Sequence, residues 1–222
     1  MDLQILPLLE PAEVNLLVGE LSQRSFAAGE TTAGGGARSA KSNLQLPRGE
    51  AAAMERLDRV VLAAVRRNAT FQAFALPRRI MPPLFSRYEP GMQYGRHVDG
   101  GIMATDASPM RTDLAMTLFL SPPESYEGGE LVLEQAGGEQ EVKLAAGEAV
   151  LYSARLVHRV EPVRSGVRLA AVSWIQSAVR DERVRAILYD LHRALQRLGH
   201  LEEEALLVSK SYQNLLRLAA EL

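Results

Sequence analysis

Between residues 80 and 177 the chain is a succession of short apolar runs, each stopped by Gly, Pro or Ser. "LFSRYE", "LAMTLFLS", "GELVLE", "QEVKL", "EAVLYSARLVHRVEPV" and "VRLAAVSWIQ" follow one another with few residues between them. Turns that tight leave little room for the helical crossovers a parallel sheet requires. Many short strands with turns between them predict a sandwich or a closed barrel. Hydrophobic residues make up 47% of the 222, enough to fill its interior.

Helical sequence flanks this region on both sides. "EPAEVNLLVGEL" has leucines at helical spacing and Pro11 suited to a first turn. "GEAAAMERLDRVVLAAVRRNATF" is alanine-rich with periodic apolar positions and reads as one helix. Between them, "SFAAGETTAGGGARSAKSNLQLP" reads as a mobile, glycine-rich loop. No Gly-Lys-Ser/Thr follows its glycines, so it is not a phosphate loop. After residue 181, "DERVRAILYDLHRALQRLG" and "EEEALLVSKSYQNLLRLAAEL" are amphipathic helices meeting near Gly199. They predict a hairpin packed on the barrel or on a second subunit. The division expected is 1–79 for an N-terminal helical and loop region, 80–177 for the strand-rich domain, and 178–222 for a C-terminal hairpin that makes a homodimer.

Composition closes off several classes of function. A net charge of −2 and the lack of any long basic stretch speak against nucleic acid as a partner. The absence of cysteine removes disulfides, thiolate zinc sites and a cysteine nucleophile together. No apolar run approaches the roughly 20 residues that span a bilayer. The start, "MDLQILPLLEPAEV", lacks the basic region of a signal peptide, and the expected location is the cytoplasm.

The chain has four histidines, and one lies in "YEPGMQYGRHVDGG". Residues i and i+2 of a strand point to one face, so His97 and Asp99 aim an imidazole and a carboxylate at one place. His192 and His200 belong to the helical tail, whereas His158 lies in the strand region and supplies a third ligand. Two histidines and one carboxylate form a facial triad that leaves three positions open on an iron ion. A solvated His–Asp pair and a hydrogen-bonded core histidine are the plainer readings of the same residues. The next strand weighs against them. Alternation puts Arg168, Ala170, Val172 and Trp174 on one face, and Leu169, Ala171, Ser173 and Ile175 on the other. Both faces are largely apolar, so the guanidinium of Arg168 is expected to be buried and to need an anion. A dicarboxylate ligand would suit its bidentate fork, and a distant glutamate is the alternative.

An HxD pair, a distant histidine and an arginine ten residues after it resemble the iron(II)- and 2-oxoglutarate-dependent dioxygenases. "RIMPPLFSRYEPGMQYGRHVDGGIM", "YEGGELVLE", "GEAVLYSARLVHRVEPVRSGVRLAAVSWIQSAVRD" and "TAGGGARSAKSNLQLP" together resemble the bacterial PKHD-type hydroxylases, relatives of prolyl and lysyl hydroxylases. The resemblance implies a double-stranded β-helix (a jelly roll), mainly β, with N-terminal helices and a C-terminal helical hairpin around it. It implies iron(II) held by His97, Asp99 and His158, with the far carboxylate of 2-oxoglutarate on Arg168 and Tyr88 reaching the same cosubstrate. Trp174 matches an aromatic on the last core strand, and Tyr152 is expected to help keep water out. Animal prolyl hydroxylases place a second tyrosine at the far carboxylate, and here that position is Phe119. The activity implied is decarboxylation of 2-oxoglutarate to succinate and carbon dioxide, with hydroxylation of a second, unnamed substrate by O2. Ascorbate is implied as the reductant. The family's links to iron uptake keep open an iron-binding or iron- and oxygen-sensing protein without turnover. A zinc hydrolase at the same triad ranks last, because no further carboxylate stands by as a base.

Overall fold

The computed structural model describes residues 3–29, 40–49, 51–105, 108–198 and 202–221. Numbered in chain order, the strands of the larger sheet run β1 (Leu3–Pro7), β14 (Glu148–Ser153), β10 (Leu114–Phe119), β17 (Arg168–Ser177), β6 (Leu84–Tyr88), β4 (Leu44–Gln45) and β2 (Ala27–Ala28). β5 (Pro77–Ile80) pairs with the far end of β17. The smaller sheet runs β13 (Gly138–Val142), β12 (Leu131–Gln135), β15 (His158–Val160), β7 (Gln93–His97) and β3 (Lys41–Ser42). Two ribbons complete the strands: β11 (Tyr126–Gly128) with β16 (Val163–Gly166), and β8 (Ile102–Met103) with β9 (Met110–Arg111). The pairings within both sheets are antiparallel. The two facing sheets form the expected jelly roll.

Strand alternation builds two cores from one sheet. On β10, Leu114, Met116 and Leu118 join a layer with the helices, while Ala115 and Phe119 join the core between the sheets. On β14, Ala149 and Leu151 face the helices, and Val150 and Tyr152 face inward. β17 follows the same rule: Leu169, Ala171 and Ile175 pack outward, whereas Arg168, Val172 and Trp174 line an internal cavity. The larger sheet is therefore apolar on both faces because each face meets a different layer.

The helical layer comprises α1 (Pro11–Ser22), α2 (Ala51–Arg67) and α3 (Ala69–Ala75), with α4 (Glu182–Leu198) against α3 and α5 (Glu202–Ala219) against α4. Pro11 opens α1, and Glu10 and Glu13 form a capping box around it. The ring of Tyr189 on α4 meets Phe74 of α3 edge-on at 5.3 Å. α5 buries none of its described side chains. No helix of the described residues is long and apolar enough to cross a membrane.

Three local expectations change. The alanine-rich segment is two helices rather than one, because the Asn68 side chain accepts from Phe71 N at 2.9 Å and caps a new helix. The glycine-rich segment is not all loop: it contributes β2, β3 and β4, which extend both sheets. Its residues 30–39, and Gly199 and His200 in the tail, lie outside the described residues. β1 was unforeseen, since five residues ahead of a helix carry little local signal, and it earns its place only by pairing with β14.

Leu57 of α2 is fully buried in the core between helices and sheet. Leu57→Ala should cost about 2–5 kcal/mol of stability, the range for a buried leucine that leaves a cavity. Urea unfolding followed by circular dichroism measures it. A change below about 0.5 kcal/mol would show that the N-terminal helices do not share the barrel's core.

Candidate active site

A cavity of about 460 Å³ lies between the sheets. His97, Asp99, His158, Arg168 and Tyr88 all line it. β15 pairs with β7 so that His158 stands opposite His97, and their rings lie 4.2 Å apart between centroids. Asp99 falls just beyond the end of β7, yet it keeps the side the alternation assigned to it. The potential ligand atoms of the three residues all lie within 4.8 Å of one another, with His158 Nε2 3.8 Å from Asp99 Oδ2.

Both imidazoles are fixed in the same tautomer. His97 Nδ1 sits 2.8 Å from the carbonyl oxygen of Gly95, and His158 Nδ1 sits 3.0 Å from that of Leu156. A carbonyl only accepts, so each Nδ1 carries a proton and each Nε2 is the nitrogen left to meet a metal. The backbone thus plays the orienting part that outer hydrogen bonds play around metal-ligating histidines. Tyr94 adds a stacked ring over His97 at 3.6 Å.

The electrostatics are those of a site that expects a cation. Burial, and then the neighbouring His158, push the His97 pKa down to about 4. Burial raises the pKa of Asp99, while His158, Trp174 and Lys41 each favour its ionised form. The Trp174 indole N–H is buried without a hydrogen bond of good geometry among the described residues, although it lies close enough to favour that carboxylate's charge. A divalent ion here would reverse the penalty on Asp99 and take the two Nε2 atoms as ligands. Two nitrogen donors and one carboxylate oxygen, with open cavity beside them, fit iron(II).

Elsewhere on the cavity wall, Arg168 pairs with Tyr88 across β17 and β6. Its side chain is among the largest fully buried ones, at 1% exposure. The guanidinium lies between the rings of Tyr88 and Phe119, at 5.1 and 5.3 Å from their centroids. Its Nε and Nη2 have no hydrogen bond of good geometry among the described residues. Rings offer no acceptor in the guanidinium plane, so the position fits a carboxylate from a ligand.

Tyr126 was not foreseen as part of this group. Its hydroxyl is buried without a hydrogen bond of good geometry among the described residues, although it lies close enough to Arg168 for the guanidinium to favour its ionised form. The two side chains meet over Gly129, whose φ is +66°. A Cβ there would stand 3.0 Å from Arg168 Cδ and 3.2 Å from Tyr126 Cε2. The glycine pair in "YEGGEL" was the available signal, because it marks a turn that needs positive φ and close approach. Lys41, Asn43 and Gln45 also reach the cavity unforeseen, from β3 and β4. Tyr152 and Trp174 line the cavity as expected, and Tyr152 is almost wholly buried.

Residues 83–176 match the family model of the 2OG-Fe(II) oxygenase superfamily. A PKHD-type hydroxylase of Synechococcus sp. (strain JA-2-3B'a(2-13)) is 45% identical over 217 residues, covering 96% of each chain. This chain belongs to the PKHD-type hydroxylases. It is therefore an iron(II)- and 2-oxoglutarate-dependent dioxygenase. Among solved structures, a prolyl-4-hydroxylase of Pseudomonas putida is 22% identical with a TM-score of 0.53, over 79% of this chain and 92% of that one. A prolyl hydroxylase of Trichoplax adhaerens, in complex with a hypoxia inducible factor peptide fragment, is 15% identical with a TM-score of 0.57, over 84% and 86%. At these identities the PKHD-type chain shares their fold.

The depressed pKa of His97 predicts a pH dependence for the metal-free protein. As pH falls below about 6.5 the unfolded chain takes up this proton first, while the folded chain resists until about 4. Stability present above about 6.5 is therefore lost as pH falls toward 4, by at most about 3 kcal/mol. Urea melts at several pH values should show a shallower slope in that window for His97→Gln than for wild type. Equal slopes would place His97 outside the buried triad.

Proposed function

We propose that His97 Nε2, Asp99 and His158 Nε2 hold iron(II), and that Arg168 takes the far carboxylate of 2-oxoglutarate in the same cavity. The observation that carries this reading is the buried guanidinium whose Nε and Nη2 have no hydrogen bond of good geometry among the described residues, in one cavity with the triad. When bound, iron and 2-oxoglutarate would let O2 act as the oxidant: one oxygen atom would enter succinate as carbon dioxide leaves the cosubstrate, and the other would hydroxylate a carbon of a second substrate. The chain's own residues do the positioning. Arg168 sets the orientation of the dicarboxylate by a bidentate contact. Tyr88, beside it in register, borders the slot, and Tyr126 supplies the hydroxyl that Phe119 lacks. The backbone bonds to Nδ1 keep both imidazoles turned toward the ion. Tyr152, Val172 and Trp174 exclude water from the space beside it.

A protein that held or sensed iron without turnover would have no use for a buried arginine in the same cavity. The enzymatic reading therefore stands ahead of it. Ascorbate is proposed as the reductant that restores iron(II) between cycles.

Iron-loaded protein with 2-oxoglutarate in air should release succinate, slowly even without the second substrate, and ascorbate should prolong the release. Asp99→Ala should abolish it, because the only carboxylate of the triad is gone. Arg168→Ala should weaken 2-oxoglutarate binding by at least two orders of magnitude, since breaking a buried charged pair costs about 3–5 kcal/mol. Succinate from Asp99→Ala at the wild-type rate, or unaltered affinity in folded Arg168→Ala, would end the corresponding assignment.

We further propose that α4 and α5 form the face of a homodimer. α5 buries no described side chain, and Leu206, Leu207 and Leu218 are 69%, 57% and 85% exposed. Such leucines are better accommodated against a second copy than in water, and two-fold pairs are the commonest closed assembly. Sedimentation should give a dimer, and Leu206→Glu with Leu207→Glu should give a folded monomer. A wild-type monomer at high concentration would overturn the proposal.

A further inference from the structure

The segment Lys41–Gln45 crosses from one sheet to the other. Lys41 and Ser42 pair with Tyr94 and Gln93 of β7, and Leu44 and Gln45 pair with Arg87 and Ser86 of β6. Asn43 stands at the crossing. The side chains of residues 41, 43 and 45 line the cavity, and they are 6%, 5% and 7% exposed. Three buried polar residues at alternate positions invert the usual strand, which turns its apolar side inward. Burial of that kind is costly unless each group is satisfied.

Two of the three find their company within the protein. Gln45 Nε2 donates to Ser86 Oγ at 3.2 Å, and the Lys41 ammonium lies 5.3 Å from the centre of the Tyr94 ring. Asn43 is less well held: neither Oδ1 nor Nδ2 makes a hydrogen bond of good geometry among the described residues, although the amide lies close enough to Tyr88 to favour that phenol's ionised form. Its oxygen end is packed against backbone, since a Cβ on Gly29 would stand 2.0 Å from Oδ1. That leaves Nδ2, which carries two N–H donors. Along the cavity wall, Asn43 has Tyr88 on one side, and Tyr88 pairs with Arg168. On the other side is Lys41, which acts electrostatically on Asp99 and His97. The amide thus stands on the stretch between the buried guanidinium and the triad, where a ligand reaching from one to the other must pass.

We propose that Asn43 is a cosubstrate-binding residue, whose Nδ2 donates a hydrogen bond to 2-oxoglutarate between Arg168 and the triad. This rests on the reading of the cavity given under Proposed function. The site would keep the amide unsatisfied in the free protein so that the ligand completes it. The segment between the sheets becomes a part of the cosubstrate slot rather than a passive edge.

The test separates a ligand contact from a structural amide. Calorimetric titration of 2-oxoglutarate into full-length, iron(II)-loaded protein under nitrogen gives affinity without turnover, and thermal melts of the ligand-free protein give stability. Asn43→Leu should weaken 2-oxoglutarate binding about tenfold or more, the loss typical of a hydrogen bond to a charged group. The same variant should melt no lower than wild type without ligand, because a buried unpaired amide has been replaced by hydrocarbon of similar size. Unaltered affinity in Asn43→Leu would overturn the inference while leaving Arg168 and the triad in place. If Asn43→Leu fails to fold, Asn43→Ala answers by the same criterion of affinity. Wild type that does not bind 2-oxoglutarate at all, in the same titration, would overturn both this inference and the function it rests on.

Discussion

A guanidinium buried at 1% exposure, with two of its nitrogens lacking a hydrogen bond of good geometry among the described residues, is the constraint around which the interior of this protein is arranged. A cation so placed is unfavourable in a dry core. The fold tolerates it by setting the rings of Tyr88 and Phe119 against it, while Nε and Nη2 have no hydrogen bond of good geometry among the described residues. The rest of the sandwich can then be apolar. Its charge is gathered on the cavity wall, where the guanidinium, the Lys41 ammonium and the Asp99 carboxylate beside the two imidazoles all stand. Each alone is destabilising. Together they define the polarity of a molecule that would relieve them.

Much of this was legible from alternation alone. Assigning Arg168, Val172 and Trp174 to one face of a strand, and Leu169, Ala171 and Ile175 to the other, matches the cavity and the helical layer. The grouping of His97, Asp99 and His158 was legible too, although Asp99 lies past the strand that was meant to orient it. What alternation could not supply was partnership over long separations. β3 and β4 are two residues each and follow a glycine-rich stretch, so nothing local marks them as strands. They exist because β6 and β7 offer free edges. β1 is defined in the same way by β14. The split between α2 and α3 was open to a closer reading, since asparagine is a strong helix cap.

The missed residues of the site share a cause. Lys41, Asn43 and Gln45 looked like polar positions in a loop, where polarity needs no explanation. Only when the segment is seen to be buried does it become unusual. Tyr126 looked like one tyrosine among six, until the turn at Gly128 and Gly129 brought it against Arg168. Sequence patterns identify groups whose chemistry is conspicuous. They are weaker at finding groups whose importance comes from where the fold hides them.

The pairing of the first strand carries a consequence for how the protein is made. Leu3 lies opposite Tyr152, a residue of the cavity wall, and Pro7 lies opposite Glu148. On a ribosome adding about 5–20 residues per second, the amino-terminal end would wait on the order of ten seconds for its partner to be synthesised. Closing so long a loop is entropically slow, and topologies built on such pairings fold late and cooperatively. Until then, β1 would present unpaired backbone groups to the nascent chain's neighbours. The interior could not be sealed from water before β14 and then β17, whose Arg168, Val172 and Trp174 line the cavity, had followed β1 by well over a hundred residues, so the outer strand that is made early is among the last to be paired.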